Sequence, residues 1–320
     1  MKKNIIKDTG VEVTELSFGT SSLGSMPDTY GYEVPKQRAH ETLKRFFKGP
    51  VNMLDTSRNY AMGESEKRIG IAIKENGGWP EKFVLSTKID RNMDTLVLDK
   101  KRTRESIEES LKALNVDSVD VLFLHDPEYV KDINDVTKKN GALDELFKIK
   151  EEGLAKAVGL AMGRIDIMFP ILRKWDFDVI INHNRYTLLN READEMYSYA
   201  HSKNISIFNA APYAGGVLAK GPSNFKKITY QDATEEKLAP AIEIEKVCKK
   251  YNVEMGAAAL QFSMKDKRIT STICGVTSVQ SIEKNLAWAK TDIPEEFWNE
   301  VLKLPYSTKD PESERTYTPG

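Results

Sequence analysis

Short apolar runs alternate with longer amphipathic segments along almost the whole sequence, and this alternation restricts the fold more than any other feature. Between the runs, apolar residues recur three and four positions apart, the period of a helix with one buried face. Eight runs are rich in β-branched and aromatic residues and are interpreted as strands. They lie at residues 16–20, 51–54, 83–87, 119–124, 155–160, 177–182, 205–210 and 270–274.

The eight runs predict a (β/α)8 TIM barrel. Each run is nearly continuous in apolar residues, which is typical of strands buried on both faces in a parallel sheet. Eight strands, each followed by a helix, is the strand count of this barrel. A doubly wound sheet is the main alternative, but no run is followed by the G-x-G-x-x-G of a dinucleotide-binding fold. We expect an N-terminal β-hairpin with Thr9 and Gly10 at its turn, and an extra C-terminal helix and tail.

No change of composition and no long linker divides the chain, so we expect a single domain over residues 1–320. Residues 130–141 and 221–234 are polar and are interpreted as loops. The segment after Leu304 is rich in proline and charge, and we expect it to wander over the surface.

Composition and charge exclude several classes of function. The 47 lysines and arginines are balanced by 48 acidic residues, which gives no electrostatic reason to expect nucleic acid or an anionic membrane as a partner. No apolar stretch approaches the roughly 20 residues that span a bilayer, and the start of the chain lacks a secretory signal. Cys248 and Cys274 form no C-x-x-C pair, and no metal-binding spacing occurs. We expect a cytoplasmic protein, a monomer or small homo-oligomer, that acts on a small molecule without a metal.

Three consecutive strands end on ionisable residues. Asp55 follows the second run, Lys88 the third and His125 the fourth, and Tyr60 follows Asp55 by five positions. In a (β/α)8 barrel the active site lies at the carboxyl ends of the strands. A carboxylate, an ammonium, an imidazole and a phenol would therefore converge at one mouth. The alternative is a set of unrelated polar strand ends with a surface tyrosine.

The motifs LDTSRNYAMGESEKRIG, LSTKID and VDVLFLHDPE resemble those of the aldo-keto reductases, and the resemblance extends from the hairpin to about Ala289. LHDPE, NRYTLLNR, NAAPYAGGVLA and AAALQF resemble the branch of aldose 1-dehydrogenases that act on fucose, galactose and related sugars. The resemblance implies a catalytic tetrad of Asp55, Tyr60, Lys88 and His125. It also implies an NAD(P) cofactor and hydride transfer between nicotinamide and a carbonyl or carbinol carbon.

The residue types of this tetrad suit that reaction. Tyr60 exchanges a proton with the substrate oxygen, and a free tyrosine has a pKa of about 10. We expect the Lys88 cation to stabilise the phenolate and to lower the pKa of Tyr60 towards neutrality. We expect Asp55 to hold the ammonium in place, and His125 to donate to the substrate oxygen and to orient it.

The resemblance also implies the cofactor site, which is expected around the ends of the first, second, sixth, seventh and eighth strands. Its residues are Gly19, Asp55, His183, Pro212, Tyr213, Ala214, Gly216, Gly275, Thr277, Ser278, Ser281 and Asn285. Glycines allow the backbone to approach a pyrophosphate, and the amides that open the helix after Gly275 are expected to face the adenosine. The sequence departs from the family's common form at three places. The Ser-Asn pair is absent from residues 159–163, His183 stands at the glutamine position, and Ala210 replaces an aromatic residue.

The nucleotide preference depends on the turn after Gly275. No arginine or lysine occupies Val276, Thr277 or Ser278, and Lys284 is the only cation nearby. A 2′-phosphate calls for such a cation, so the sequence favours NAD or use of both nucleotides over NADP alone.

The mouth is expected to be rimmed by residues 21–35, Asn59 and residues 126–128. The residues expected to bind the substrate are Arg58, Tyr60, His125 and Asp126. These polar groups suit an aldose or related polyhydroxylated aldehyde, and Arg58 either binds an anionic group or pairs with a neighbouring acid. Two alternatives remain open. One is a pyridoxal-type or general aldehyde or ketone reductase, and the other is a cofactor-binding regulatory subunit with little turnover, like the potassium-channel β subunits of this superfamily.

Overall fold

A computed structural model describes residues 1–315, and residues 316–320 of the expected tail lie outside the described part. Eight parallel strands close into a barrel in chain order, with the last strand paired to the first. The strands are β1 Lys3–Ile5, β2 Glu12–Thr14, β3 Leu16–Gly19, β4 Met53–Asp55, β5 Val84–Ile89, β6 Val119–His125, β7 Ala155–Met162, β8 Val179–His183, β9 Ser206–Ala210, β10 Lys227–Ile228, β11 Gln231–Asp232 and β12 Ser271–Gly275. β3 to β9 and β12 form the barrel, so the predicted (β/α)8 fold is confirmed.

Helices surround the barrel and bury one face against it. They are α1 Pro27–Tyr30, α2 Lys36–Phe46, α3 Glu64–Glu75, α4 Lys100–Leu114, α5 Ile133–Thr137, α6 Ala142–Glu151, α7 Ile165–Leu172, α8 Asp194–Ser202, α9 Val217–Lys220, α10 Glu235–Lys250, α11 Met255–Lys265, α12 Val279–Trp288 and α13 Glu295–Val301. One large apolar core lies between the helices and the strands, and a second, smaller core fills the barrel interior.

The predicted N-terminal hairpin is confirmed, and it closes the bottom of the barrel. β1 and β2 pair antiparallel, and Ile6 and Val13 are fully buried in the interior core. Above them Phe123 and Phe208 meet edge to face with their ring centroids 6.2 Å apart. Gly159 is required here, because a Cβ at this position would lie 2.6 Å from the Phe123 ring. The filled interior leaves the carboxyl ends of the strands as the open end.

Two segments that were interpreted as loops contain ordered elements. α5 lies within residues 130–141, where the Asp132 side chain accepts from the Asn134 amide and caps the helix. The β10–β11 hairpin lies within residues 221–234. Neither element has an apolar period long enough to stand out from the sequence.

The expectation of a loose tail is wrong for the described residues. Ser307 donates its amide to the Leu189 carbonyl at 2.9 Å, which joins the tail to the segment after β8. Further along, Glu312 is only 8% exposed and accepts from Arg185 Nη1 at 2.7 Å. The tail therefore packs across the open end of the barrel, next to the end of β8.

Candidate active site

Asp55, Lys88 and Tyr60 form a hydrogen-bonded chain at the open end of the barrel. β4 ends at Asp55, and Lys88 is the penultimate residue of β5. Lys88 Nζ donates to Asp55 Oδ2 at 2.6 Å and to the Tyr60 hydroxyl at 3.2 Å. Asp55 and Lys88 are 3% and 2% exposed, so their attraction acts in a medium of low dielectric constant. The contact between Lys88 and Tyr60 is direct.

A strained turn holds Tyr60 in this position. Ala61 and Met62 both adopt left-handed backbone conformations, with φ of 51° and 53°. Such conformations cost a non-glycine residue roughly 1–2 kcal/mol and persist only where the surroundings hold them. On one side Gly24 packs against the turn, because a Cβ on Gly24 would lie 2.5 Å from the Ala61 Cβ.

Arg58 supports this turn from the other side and does not line the cavity. A Cβ on Gly63 would lie 2.0 Å from Arg58 Nη1, so the guanidinium packs directly against the glycine. Arg58 Nε donates to Glu109 Oε2 on α4 at 2.8 Å. The geometry thus corrects the assignment of Arg58 to the substrate and favours its pairing with an acid.

His125 is held by Asp90, a residue that sequence reasoning missed. His125 Nδ1 lies 2.7 Å from Asp90 Oδ1, and the Asn59 amide donates to Asp90 Oδ2 at 2.9 Å. A carboxylate only accepts hydrogen bonds, so Nδ1 carries the proton in this contact. Tyr60 and His125 meet edge to face, with their ring centroids 5.8 Å apart. The signal for Asp90 was its place two residues after Lys88, just beyond β5.

The electrostatics of the site differ from expectation at Tyr60. Burial raises the pKa of Tyr60 well above its ordinary value, and the Asp55 charge raises it further, so the expectation that the pKa of Tyr60 is lowered towards neutrality is wrong. Burial alone would lower the pKa of His125, but Asp126 and Asp90 outweigh it and the pKa is raised. Tyr60 therefore carries its proton at neutral pH.

These groups open into a cavity of about 300 Å³ that runs from the strand ends β4 to β6 across to β12. Eleven of the residues assigned from the sequence line it. They are Gly19, Asp55, Tyr60, Lys88, His125, Asp126, His183, Tyr213, Gly216, Gly275 and Thr277. His183 Nδ1 also lies 3.3 Å from the tail residue Glu312.

Five other residues assigned to the cofactor are not among those that line the cavity. They are Pro212, Ala214, Ser278, Ser281 and Asn285. The Thr277 and Ser278 amides donate to the Ser281 hydroxyl at 2.9 and 3.0 Å, so the amides that were expected to face a ligand have an internal partner. Asn285 accepts from the Tyr213 hydroxyl and fixes that ring.

Three cations that were not assigned from the sequence also line the cavity: Lys220, Lys227 and Arg315. The Lys220 ammonium lies 4.1 Å from the centre of the Phe225 ring, and burial lowers its pKa. Among residues 1–315, no carboxylate forms an ion pair with Lys220. Lys220 is exposed and lines the same cavity as Gly216, so its ammonium is available to an anionic group there.

Two tyrosines close the cavity from opposite sides. Tyr30 of the first loop and Tyr230 of the β10–β11 turn meet edge to face, with their ring centroids 5.8 Å apart. Arg315 of the tail lies 4.9 Å from the centre of the Tyr230 ring. Sequence reasoning placed the first loop at the rim but gave no signal for Tyr230 or Arg315.

In the described part of the chain, no group of three His, Cys, Asp or Glu side chains is arranged to hold a metal ion. No helix of residues 1–315 combines the length and the apolar character needed to cross a bilayer.

The closed parallel barrel carries Asp, Lys, Tyr and His side chains at its open end, which is the arrangement that the resemblance to a class of oxidoreductases implied. The profile of the Aldo/keto reductase family matches residues 15–304. The chain belongs to this family.

The chain is 30% identical to the L-galactose dehydrogenase of Arabidopsis thaliana, over 88% of this chain and 85% of that protein. It is 25% identical to the pyridoxal 4-dehydrogenase of Microbacterium luteolum, over 93% and 95% of the two chains. The structure superimposes on the holo form of an aldo-keto reductase from Bacillus halodurans with a TM-score of 0.80, at 21% identity and over 99% and 100% of the chains. This last similarity concerns the fold.

Proposed function

We propose that the protein is an NAD(P)-dependent oxidoreductase that transfers a hydride between the nicotinamide and the carbonyl or carbinol carbon of an aldose or related polyhydroxylated aldehyde. The observation that carries the proposal is the chain from Asp55 through Lys88 to Tyr60, with His125 at the same cavity. When bound, the cofactor supplies or accepts the hydride.

Tyr60 handles the proton in this reaction. In reduction, the phenol gives its proton to the substrate oxygen while the carbonyl carbon gains the hydride. Lys88 donates to the Tyr60 oxygen and stabilises the phenolate that remains, while Asp55 holds the ammonium. In oxidation the proton returns to the phenolate. Because the pKa of Tyr60 is raised, we expect oxidation to have a higher pH optimum than reduction.

The residues of the cavity fit a dinucleotide. Lys220 offers an unpaired cation for the pyrophosphate, and Gly275 leaves open space at the end of β12. Val276 is buried, and Lys284 lies 4.6 Å from the centre of the Trp288 ring. The turn after Gly275 therefore supplies no cation for a 2′-phosphate, which supports NAD or use of both nucleotides.

The polar rim supports a hydroxylated substrate. Asp126 lines the cavity and its side chain is 14% exposed, while its Oδ1 atom is buried 3.6 Å from His125 Nε2. The rim therefore places a carboxylate beside the imidazole, and both groups suit a substrate that carries hydroxyls. The similarity to an L-galactose dehydrogenase agrees with a sugar, and oxidation of an aldose to its lactone is the direction we favour. The similarity to a pyridoxal dehydrogenase favours a second candidate, an aromatic aldehyde.

A screen of substrates and cofactors tests the proposal. L-galactose, L-fucose, D-galactose, glyceraldehyde and pyridoxal are incubated with each oxidised and reduced nucleotide, and the absorbance of reduced nicotinamide is followed. We expect turnover with at least one sugar. Turnover with pyridoxal alone would favour the second candidate, and cofactor binding without turnover would favour a regulatory subunit.

Calorimetric titration of the two oxidised nucleotides tests the cofactor preference. Charge-assisted hydrogen bonds are worth about 1.5–3 kcal/mol, so one well-placed cation would give NADP roughly a tenfold or greater advantage. We expect NAD to bind as tightly as NADP or more tightly. A hundredfold preference for NADP would contradict the proposed role of the turn.

A further inference from the structure

The turn that carries Tyr60 gains little support from the side chain of Met62, one of its two strained residues. Met62 is 60% exposed, so it contributes little packing to hold its left-handed backbone. The turn is instead held between Gly24 on one side and the Arg58 guanidinium, which packs against Gly63, on the other. Lys88 holds the Tyr60 hydroxyl directly at 3.2 Å, and Arg58 helps to hold the backbone turn from which the phenol projects.

Arg58 is in turn fixed by Glu109 on α4. Glu109 Oε2 accepts from Arg58 Nε at 2.8 Å. The same carboxylate accepts a bidentate pair from Arg102, at 2.8 and 2.9 Å. Bidentate pairs of this kind restrict orientation as well as adding attraction. Arg102 and then Arg58 hold the pKa of Glu109 at about 2, so the carboxylate stays charged at neutral pH.

The second arm of this network reaches His125. Arg102 Nε donates to the Asp90 carbonyl oxygen at 3.1 Å. The Asp90 carboxylate holds His125 Nδ1 at 2.7 Å. The Glu109 carboxylate is thus connected through Arg58 to the turn that carries Tyr60. Through Arg102 it is connected to Asp90, which holds His125.

We propose that Glu109 is a positioning residue that fixes Tyr60 and His125 relative to each other. It does so through a hydrogen-bonded network that reaches Tyr60 by way of Arg58 and His125 by way of Arg102. Glu109 touches neither the cavity nor the catalytic groups, so it acts only through geometry. The effect on turnover rests on the proposed oxidoreductase function, whereas the effect on the His125 environment does not. Misplacement of reacting groups by about 1 Å is sufficient to cost up to a hundredfold in rate.

The test compares Glu109→Gln with Glu105→Gln. Glu105 is a matched control, because it lies on the same helix, is similarly exposed and reaches Arg102 only at 3.8 Å. We expect Glu109→Gln to lower kcat about tenfold or more, with less than a twofold change in KM and in cofactor affinity. Glu105→Gln should match the wild type. Arg58→Met should lower kcat similarly, and the double variant Arg58→Met/Glu109→Gln should be no worse than the poorer single one, because both act through one turn.

Histidine NMR titration supplies a readout that does not depend on turnover. Because Asp90 helps to raise the pKa of His125, a loosened Asp90 should lower the titration midpoint of His125 in Glu109→Gln but not in Glu105→Gln. Unchanged kcat together with an unchanged midpoint would overturn the inference, as would additive losses in the double variant. If the wild type shows no turnover with any substrate, the proposed function fails. The titration midpoint of His125 alone then tests whether Glu109 is a positioning residue.

Discussion

Replacing Lys88 by methionine should lower the free energy of unfolding, because it leaves the buried Asp55 carboxylate without its counter-ion. Asp55 is 3% exposed, and its only other side-chain donor in the described residues is the Ser86 hydroxyl, at 2.9 Å. Lys88 also donates to the Thr56 carbonyl at 2.6 Å and to Tyr60 at 3.2 Å. Removing one partner of a buried ion pair costs about 3–5 kcal/mol. The loss falls on the folded state, since water solvates Asp55 in the unfolded chain.

This loss corresponds to a measurable shift in melting temperature. With about 2.1 cal/mol/K per residue, the 320 residues give an unfolding entropy of roughly 0.7 kcal/mol/K. A loss of about 3–5 kcal/mol then lowers Tm by roughly 4–7 °C. Thermal unfolding followed by circular dichroism measures the shift, and urea unfolding measures the free energy.

A double variant separates charge burial from lost packing. Asp55→Asn/Lys88→Met removes both charges, keeps the Ser86 contact and should recover more than half of the stability lost in Lys88→Met. Lys246→Met removes an exposed partner of Glu243, at 2.7 Å, and should change stability little. The reasoning is refuted if Lys88→Met is no less stable than Lys246→Met, or if the double variant is less stable than Lys88→Met.

Three further changes test the chemistry. Tyr60→Phe should lower kcat by about 10²–10⁴-fold with cofactor affinity retained, because only the proton donor is lost, and full activity with any substrate would rule out the assigned role. Asp90→Asn should move the His125 limb of the pH profile of kcat/KM to lower pH, because the Asp90 charge raises the pKa of His125; an unmoved limb would speak against this contact. Glu66 is fully buried, and burial raises its pKa from 4.5 to about 7. The folded protein therefore loses stability relative to the unfolded chain as pH rises from about 4.5 to 7, because Glu66 loses its proton more readily in the unfolded chain. Glu66→Gln should abolish that loss, on the order of 3 kcal/mol, in urea unfolding across this range, and a pH dependence equal to that of the wild type would contradict it.

The barrel could be predicted from the sequence because its signal is local. Each barrel strand is an apolar run, and each run lies within a few residues of the observed strand. The tail could not be predicted in the same way. Residues 305–315 carry no apolar period, and their placement depends on partners such as Arg185, about 125 residues earlier in the chain.

In the active site, too, some features could be predicted from the sequence and others could not. Asp55, Lys88 and His125 could be brought together from the sequence because parallel strands end at one side of a barrel. The position of Arg58 could not be predicted from the sequence, because its partner Glu109 lies on α4, 51 residues further along the chain. The direction of the Tyr60 pKa was missed because burial, which dominates it, is a property of the folded protein.

Closure of the barrel by β3 and β12 has a consequence for synthesis on the ribosome. Phe18 pairs with Cys274 and Gly19 with Gly275, so one edge of β3 stays unpaired until about 250 more residues have been added. At roughly 5–20 residues per second, that interval lasts about 10–50 s. An unpaired strand edge is a site for association with other chains. The last of the four site residues, His125, is therefore added about 150 residues before β12 is complete and the barrel that holds Asp55, Tyr60, Lys88 and His125 can close.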